Sequence, residues 1–173
     1  MERVNAIIFS GGSMDDRSVS PEPGQPGHDK QEVIPSRPTF IYHSFVHADE
    51  LDALQLLHNS RFIVHVERAT VAFCRTLGAP WGGSVDENPD QFQMVREVQA
   101  KFAAPFRGMG EMVIHIWVER LGESSCVYGF VCTSAEGKVV YARGTRTIVK
   151  LDAASLEPTP WSEAFTRGHL PLL

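Results

Sequence analysis

The sequence predicts an α+β domain, an antiparallel sheet with one long helix packed on it, and three observations carry that reading. Apolar residues recur at spacings of three and four from Phe62 to Leu77, the stripe of an amphipathic helix. Segments rich in β-branched and aromatic residues stand on both sides of that stripe. The later segments are joined by short polar links containing Gly, Gly122-Glu123-Ser124 and Ala135-Glu136-Gly137, which suit antiparallel hairpins.

Taken in order, the chain opens on sequence that does not look globular. Between Ser10 and Pro38 lie Gly11-Gly12-Ser13, Pro21, Pro23, Pro26, Pro35 and Pro38 with few large apolar side chains, too little to offset the entropy of ordering. Residues 1–38 are therefore read as a disordered extension, in which Met14 is a second candidate initiator. Ala6-Ile7-Ile8-Phe9 is too short for the apolar region of a signal peptide or for a membrane span, so a soluble, cytoplasmic protein is expected.

Phe40, Ile41, Tyr42, Phe45 and Val46 mark a strand over 39–46, bounded by Pro38. A loop holding Asp49, Glu50 and Asp52 follows. In the helix, Phe62, Val66, Ala69, Phe73 and Leu77 form the apolar face with Ile63, Thr70 and Cys74 beside it. Asn59 or Ser60 is the expected N-cap, and Gly78 followed by Pro80 the expected stop. After a Gly- and Pro-punctuated loop over 81–89 come four strand candidates: 91–103, 111–121, 125–134 and 138–151. The second alternates, Met112, Ile114, Ile116 and Val118 on one face and Val113, His115 and Trp117 on the other. Apolar residues on both faces point to a partner subunit, so an oligomer is expected.

Composition excludes several classes. Of 173 residues, 43% are hydrophobic and 21% charged, ordinary for a globular domain. The net charge is −5 and the 16 Lys and Arg are scattered, which argues against nucleic acid as a partner, since phosphate binding needs clustered positive charge. Cys74, Cys126 and Cys132 are odd in number and lack CxxC spacing, so neither a disulfide framework nor a zinc site is expected and all three read as small buried hydrophobes. His43 and His47 lack a third ligand of convincing spacing; no metal and no cofactor are predicted. Gly-x-Ser-x-Gly and P-loop motifs are absent from the sequence.

What remains is the stretch from Asp49 to Phe62, which sets carboxylates one loop before a helix start, where backbone N–H groups are unpaired and the dipole favours negative charge. Such a pairing suits chemistry on a carbonyl: a carboxylate activates water or attacks, and N–H donors meet the developing oxyanion. The same Asp is equally a common turn or capping residue, and Asn59 a common N-cap.

These residues resemble a known family, the hotdog-fold acyl-CoA thioesterases of the 4-hydroxybenzoyl-CoA thioesterase-like group. The family pattern is Asp-x-Asp-x-x-Gly, a short apolar stretch, Asn-Asn and an aromatic, then a helix with a Glu. Here Glu50-Leu51-Asp52, His58-Asn59-Ser60-Arg61-Phe62 and Glu67 with Ala69 occupy those places. The likeness continues through Trp117 to Ser125, Gly137, Val140 to Gly144 and Pro158-Thr159-Pro160. It spans 39–163, leaving 164–173 as a C-terminal tail.

The resemblance implies a hotdog fold, in which an antiparallel sheet of about five strands wraps around one long central helix, and a homodimer or tetramer. It implies hydrolysis of an acyl-CoA or acyl carrier protein thioester, with no membrane partner. Asp52, the second acid of the pattern, would be general base or nucleophile, and N–H groups from Asn59 to Arg61 the oxyanion donors. Asn59 and Glu67 are further catalytic candidates; His58, Ser60, Arg61, Phe62, Arg120 and Arg143 are candidate substrate contacts, the two strand arginines, with Arg146, for CoA phosphates. Two departures matter. Gln55 stands where the family has Gly, so an altered backbone is expected there, and Glu50 replaces the first Asp. The competing readings are a hotdog hydratase or dehydratase, which needs an Asp and His pair of which the sequence shows no clear instance before the helix, and a non-catalytic acyl-CoA-binding module, for which Gln55 is the ground.

Overall fold

The computed structural model describes residues 36–78, 82 and 84–173. The extension expected over 1–38 lies outside the described residues apart from 36–38, and so does Pro80.

Five strands form one antiparallel sheet: β1 (Phe40–Val46), β2 (Gln93–Phe102), β3 (Gly110–Leu121), β4 (Ser125–Thr133) and β5 (Val140–Lys150), in the spatial order β1-β3-β4-β5-β2. Helix α1 (Asn59–Thr76) connects the first strand to the rest. The three hairpin-linked strands β3, β4 and β5 sit centrally, while β1 and β2 enter from far away in sequence and take the two edges. Phe40 faces Ile116 and Val46 faces Gly110 on one side; Gln93 faces Lys150 and Phe102 faces Ala142 on the other.

One face of the sheet carries the core. Met112, Ile114, Ile116 and Val118 of β3 are 0% exposed, as are Cys126, Tyr128, Phe130 and Cys132 of β4. Onto them α1 lays Phe62, Val66, Ala69 and Phe73, the residues of the expected stripe; full burial of each large side chain contributes roughly 1.5–3 kcal/mol. The helix begins earlier than its stripe: His58 is the N-cap, its Nδ1 accepting the Ser60 N–H, and Asn59 is the first helical residue. Gly78 at φ 78° closes it with an N–H to the Arg75 carbonyl.

The image of a sheet wrapped around one central helix holds only in part. The helix, 18 residues long, packs mainly on β1 and β3, and the same-face residues of β2 stay open: Val95 is 43%, Val98 38% and Phe102 48% exposed. The expected tail over 164–173 falls in and after a second helix. Ser162 caps this helix, α2 (Glu163–His169), and Phe165, His169 and Leu172 are buried against the core beside Trp161. Cys74, Cys126 and Cys132 are free and buried. Among the described residues no helix is long and apolar enough to cross a membrane.

Candidate active site

Between β1 and α1 the chain makes a tight loop closed by an isolated bridge between Leu51 and Leu57. Asp52 organises it. Its Oδ1 accepts the N–H of Leu54 at 2.8 Å and of Leu56 at 3.0 Å, while its backbone N–H donates to the Leu56 carbonyl at 2.8 Å. This is the turn-forming use of Asp that the sequence allowed. It consumes one carboxylate oxygen; among the described residues no hydrogen bond takes the other.

The loop is also pinned from below. Leu57 donates to the Phe106 carbonyl at 3.0 Å, and the Gln55 carbonyl accepts from Gly108 at 2.9 Å, tying both to the segment that leads into β3. Gln55 adopts φ 60°, the left-handed conformation that Gly takes most easily. The departure from Gly therefore leaves the turn closed, contrary to the expected alteration.

Asp52 lines an open cleft of about 460 Å³ together with Leu56, Leu57, His58, Asn59, Phe62, Phe102, Ala103, Ala104 and Pro105. Four sequence candidates are thus brought together: Asp52, His58, Asn59 and Phe62. Phe62 is buried and tilts against Phe102 with ring centroids 5.5 Å apart. His58 Nδ1 is engaged by Ser60 Oγ at 2.8 Å. The helix start offers fewer oxyanion donors than expected. The Ser60 N–H goes to Asn59 Oδ1 at 2.8 Å and the Arg61 N–H to the His58 carbonyl at 2.8 Å. Only the Asn59 N–H of this trio lacks a partner among the described residues.

The remaining candidates are not at the cleft wall. Glu67 lies eight residues beyond Asn59 on α1, about 12 Å along the axis, and pairs with Arg146 Nη2 at 3.7 Å. Ser60 and Arg61 are exposed on the first turn of the helix. Arg120 is exposed at the far end of β3 from Gly110, the end that adjoins the cleft segment. Arg143 is nearer: its strand neighbour Ala142 faces Phe102, but Arg143 itself faces Lys101 on the opposite side of the sheet.

Sequence reasoning missed two parts of this site. The wall from Phe102 to Pro105 exists only because β2 pairs with β5, a long-range register that no local pattern encodes. The other is a buried polar group beneath the loop, Glu50 with His65 and Ser44; its one signal was a histidine inside an apolar helical face.

No protein-family model matches the chain, and no curated protein is significantly similar to it. Solved structures do resemble it. A 1,4-dihydroxy-2-naphthoyl-CoA thioesterase from Synechocystis superposes with a TM-score of 0.68 at 13% identity, over 78% of this chain and 98% of that one. A DHNA-CoA thioesterase from Staphylococcus aureus gives 0.63 at 15% identity, over 75% and 89%. A thioesterase from Thermus thermophilus, solved with coenzyme A and Zn, gives 0.60 at 22% identity, over 76% and 96%. At these identities the likeness speaks for the fold: the chain folds as these thioesterases do, the hotdog fold to which its motifs point.

Proposed function

We propose that the chain is a thioester hydrolase acting on an acyl-CoA or an acyl carrier protein thioester. One observation carries the reading: the Asp52 carboxylate, anchored through one oxygen only, lines the same cleft as the first residues of α1. The anchored oxygen fixes the group, and the other is left for chemistry. As general base it takes a proton from water as the oxygen attacks the thioester carbon; as nucleophile it forms an acyl-enzyme anhydride that water then opens. Either route breaks the carbon–sulfur bond, and the departing thiolate takes up a proton. The Asn59 N–H, at the positive end of α1, is the candidate donor to the oxyanion.

The open cleft and the bare edge of β2 suggest that a second copy completes the site. Val95, Val98 and Phe102 are exposed on that edge, Phe102 also lines the cleft, and an unpaired apolar edge strand is a template for strand pairing. A homodimer joined there closes the cleft with partner residues and accounts for an acyl pocket that this chain alone leaves open.

The test is thiol release from an acyl-CoA panel by the purified protein and by Asp52→Asn. Turnover that falls by orders of magnitude in the variant supports the reading; a fully active variant, or a wild type inert on every chain length, overturns it. A hydratase is the second reading, because Asp52 and His58 face one cleft and such a pair moves protons across a double bond. Hydration of an enoyl-CoA without thiol release would favour it. The non-catalytic module is the third reading, and tight binding of a CoA ester without turnover would favour it.

A further inference from the structure

Glu50, the residue that replaces the first acid of the loop pattern, is 4% exposed, and the surrounding segments converge on it. Oε2 accepts the His47 N–H at 2.9 Å, from the end of β1. Oε1 accepts from Arg68 Nη1 at 3.1 Å, on α1. The Glu50 backbone carbonyl accepts the N–H of His58, the helix cap, at 3.2 Å. His65, also on α1 and 0% exposed, brings Nε2 to 3.3 Å from Oε2. On the other side of the ring, His65 Nδ1 lies 2.7 Å from Ser44 Oγ in β1.

The ring has one sensible protonation. Arg68 Nη1 approaches Nδ1 at 3.5 Å and can only donate, so Nδ1 is the acceptor for Arg68 and the Ser44 hydroxyl, and the ring proton sits on Nε2 facing the carboxylate. Burial lowers the His65 pKa, Glu50 acting against it, and the ring stays neutral. Burial pushes the Glu50 carboxyl up, but the His47 N–H, His65 and Arg68 outweigh it and hold it ionised.

Buried ions of this kind seldom add stability over well-packed apolar side chains; their attested use is to fix one arrangement among several. Only Leu51 separates Glu50 from Asp52. We infer that the Glu50–His65 pair, with Arg68 and Ser44, is the positioning device of the Asp52 loop, locking it to β1 and to the start of α1. The Asp52 carboxylate and the Asn59 N–H thereby keep one mutual geometry. Glu50 and His65 are positioning residues: both are buried, His65 Nδ1 meets the Ser44 hydroxyl while its Nε2 lies 3.3 Å from the Glu50 carboxylate without a hydrogen bond, and neither residue lines the cleft. This rests on the hydrolase reading for its consequence in turnover, but not for its consequence in loop order.

The experiment therefore reads both. In Glu50→Gln, hydrogen exchange of the Leu54 and Leu56 amides, the two held by Asp52 Oδ1, is expected to quicken about tenfold or more, while amides of β4 and β5 keep their rates. Thioester turnover is expected to lose kcat at least tenfold with little change in KM, Glu50→Asp recovering part of it. Combining Glu50→Gln with Asp52→Asn is expected to cost no more than Asp52→Asn alone, because the two residues act as one unit. Unchanged exchange, or fully additive losses, overturns the inference. Should Glu50→Gln fail to fold, Arg68→Ala removes one donor from a half-exposed position and is expected to loosen the same two amides to a smaller degree; unchanged rates there overturn the inference equally. Altered exchange in a protein that hydrolyses no thioester leaves the positioning device standing and removes the hydrolase reading. Turnover with unaltered exchange does the reverse.

Discussion

Gln55 donates its N–H to the Asp52 carbonyl at 3.0 Å from left-handed backbone, φ 60°. A non-Gly residue pays for that conformation with the approach of its Cβ to the following carbonyl oxygen, roughly 1–2 kcal/mol in a regular left-handed helix, part of which Gly returns as unfolded-state entropy. Gln55→Gly is therefore expected to raise stability by about 0.5–1 kcal/mol with the loop unchanged, and Gln55→Val, β-branched at positive φ, to lower it by about 1–2 kcal/mol. Thermal melts of the two variants check the pair. Equal melting temperatures would mean that the turn is not held at this φ in solution.

Asp52 plays two parts that substitution separates. Asn keeps an oxygen for the Leu54 and Leu56 N–H groups but loses the charge, whereas Ala loses both. Asp52→Asn is expected to fold with wild-type stability and to lose thioester turnover by about 10²–10⁴-fold, the range of a lost general base. Asp52→Ala should lose the same turnover and about 1 kcal/mol of stability as well, the usual cost of a removed side-chain cap. Urea melts beside the acyl-CoA assay distinguish them. If both variants are equally destabilised, the hydrogen bonds from Asp52 Oδ1 contribute nothing to the loop.

These effects arise where the sequence was least explicit. The strands and the apolar stripe of α1 were legible to within one or two residues at most ends, because alternation and the spacing of three and four are imposed locally by burial. The carboxylate loop was legible as well, since an Asp before a helix has few uses. Legibility failed for contacts between distant segments. His58 displaces Asn59 as the cap partly because Glu50 holds its N–H, and Glu50 was readable only as an imperfect match to a motif. Phe102 becomes a cleft residue through its register with Ala142. The final ten residues hold Gly168 and Pro171, which argue locally against a helix, yet Phe165 and Leu172 join the core and His169 is buried beside them.

That last helix makes stability sensitive to acid. Tyr128 Oη lies 2.6 Å from His169 Nε2, and Nδ1 donates to the Phe165 carbonyl at 2.7 Å. Burial is the main cause that holds the His169 pKa down to about 4, against 6.5 for the free side chain. Between those values the unfolded chain binds a proton that the folded chain refuses. The contribution is thus fully present above pH 6.5 and lost as pH falls toward 4, about 3 kcal/mol in all. Asp90, whose carboxyl burial raises but Ser162 and Lys150 hold below its usual 3.8, acts below this window. Urea melts at pH 7.5, 6 and 5 are expected to show falling stability in the wild type and a shallower slope in His169→Gln, the remainder coming from His65 and His115, which burial also lowers. A wild-type protein of constant stability across this range would rule out a buried, neutral His169.

Gly144 decides whether the edge strand can sit where the proposed dimer needs it. It faces Ala100 across the β2–β5 ladder, and a Cβ built there would come within 1.8 Å of the Gln99 carbonyl oxygen. No rotamer relieves a clash with backbone, so Gly144→Ala must push β2 away or shift β5, at a cost of about 1–3 kcal/mol for an overpacked site. Because α1 packs mainly on β1 and β3 and meets β2 through Phe62 against Phe102, the strand is expected to yield before the core does. The consequence reaches the cleft, since Phe102 belongs to β2 and lines it. Gly144→Ala is therefore expected to stay folded, to shift the protein from dimer to monomer in sedimentation velocity, and to lose turnover alongside. Val98→Lys, which puts a charge on the exposed edge without moving the backbone, should dissociate the dimer at near wild-type melting temperature. If Val98→Lys leaves the sedimentation coefficient unchanged, the β2 edge is not the dimer interface, and the missing wall of the cleft must come from elsewhere.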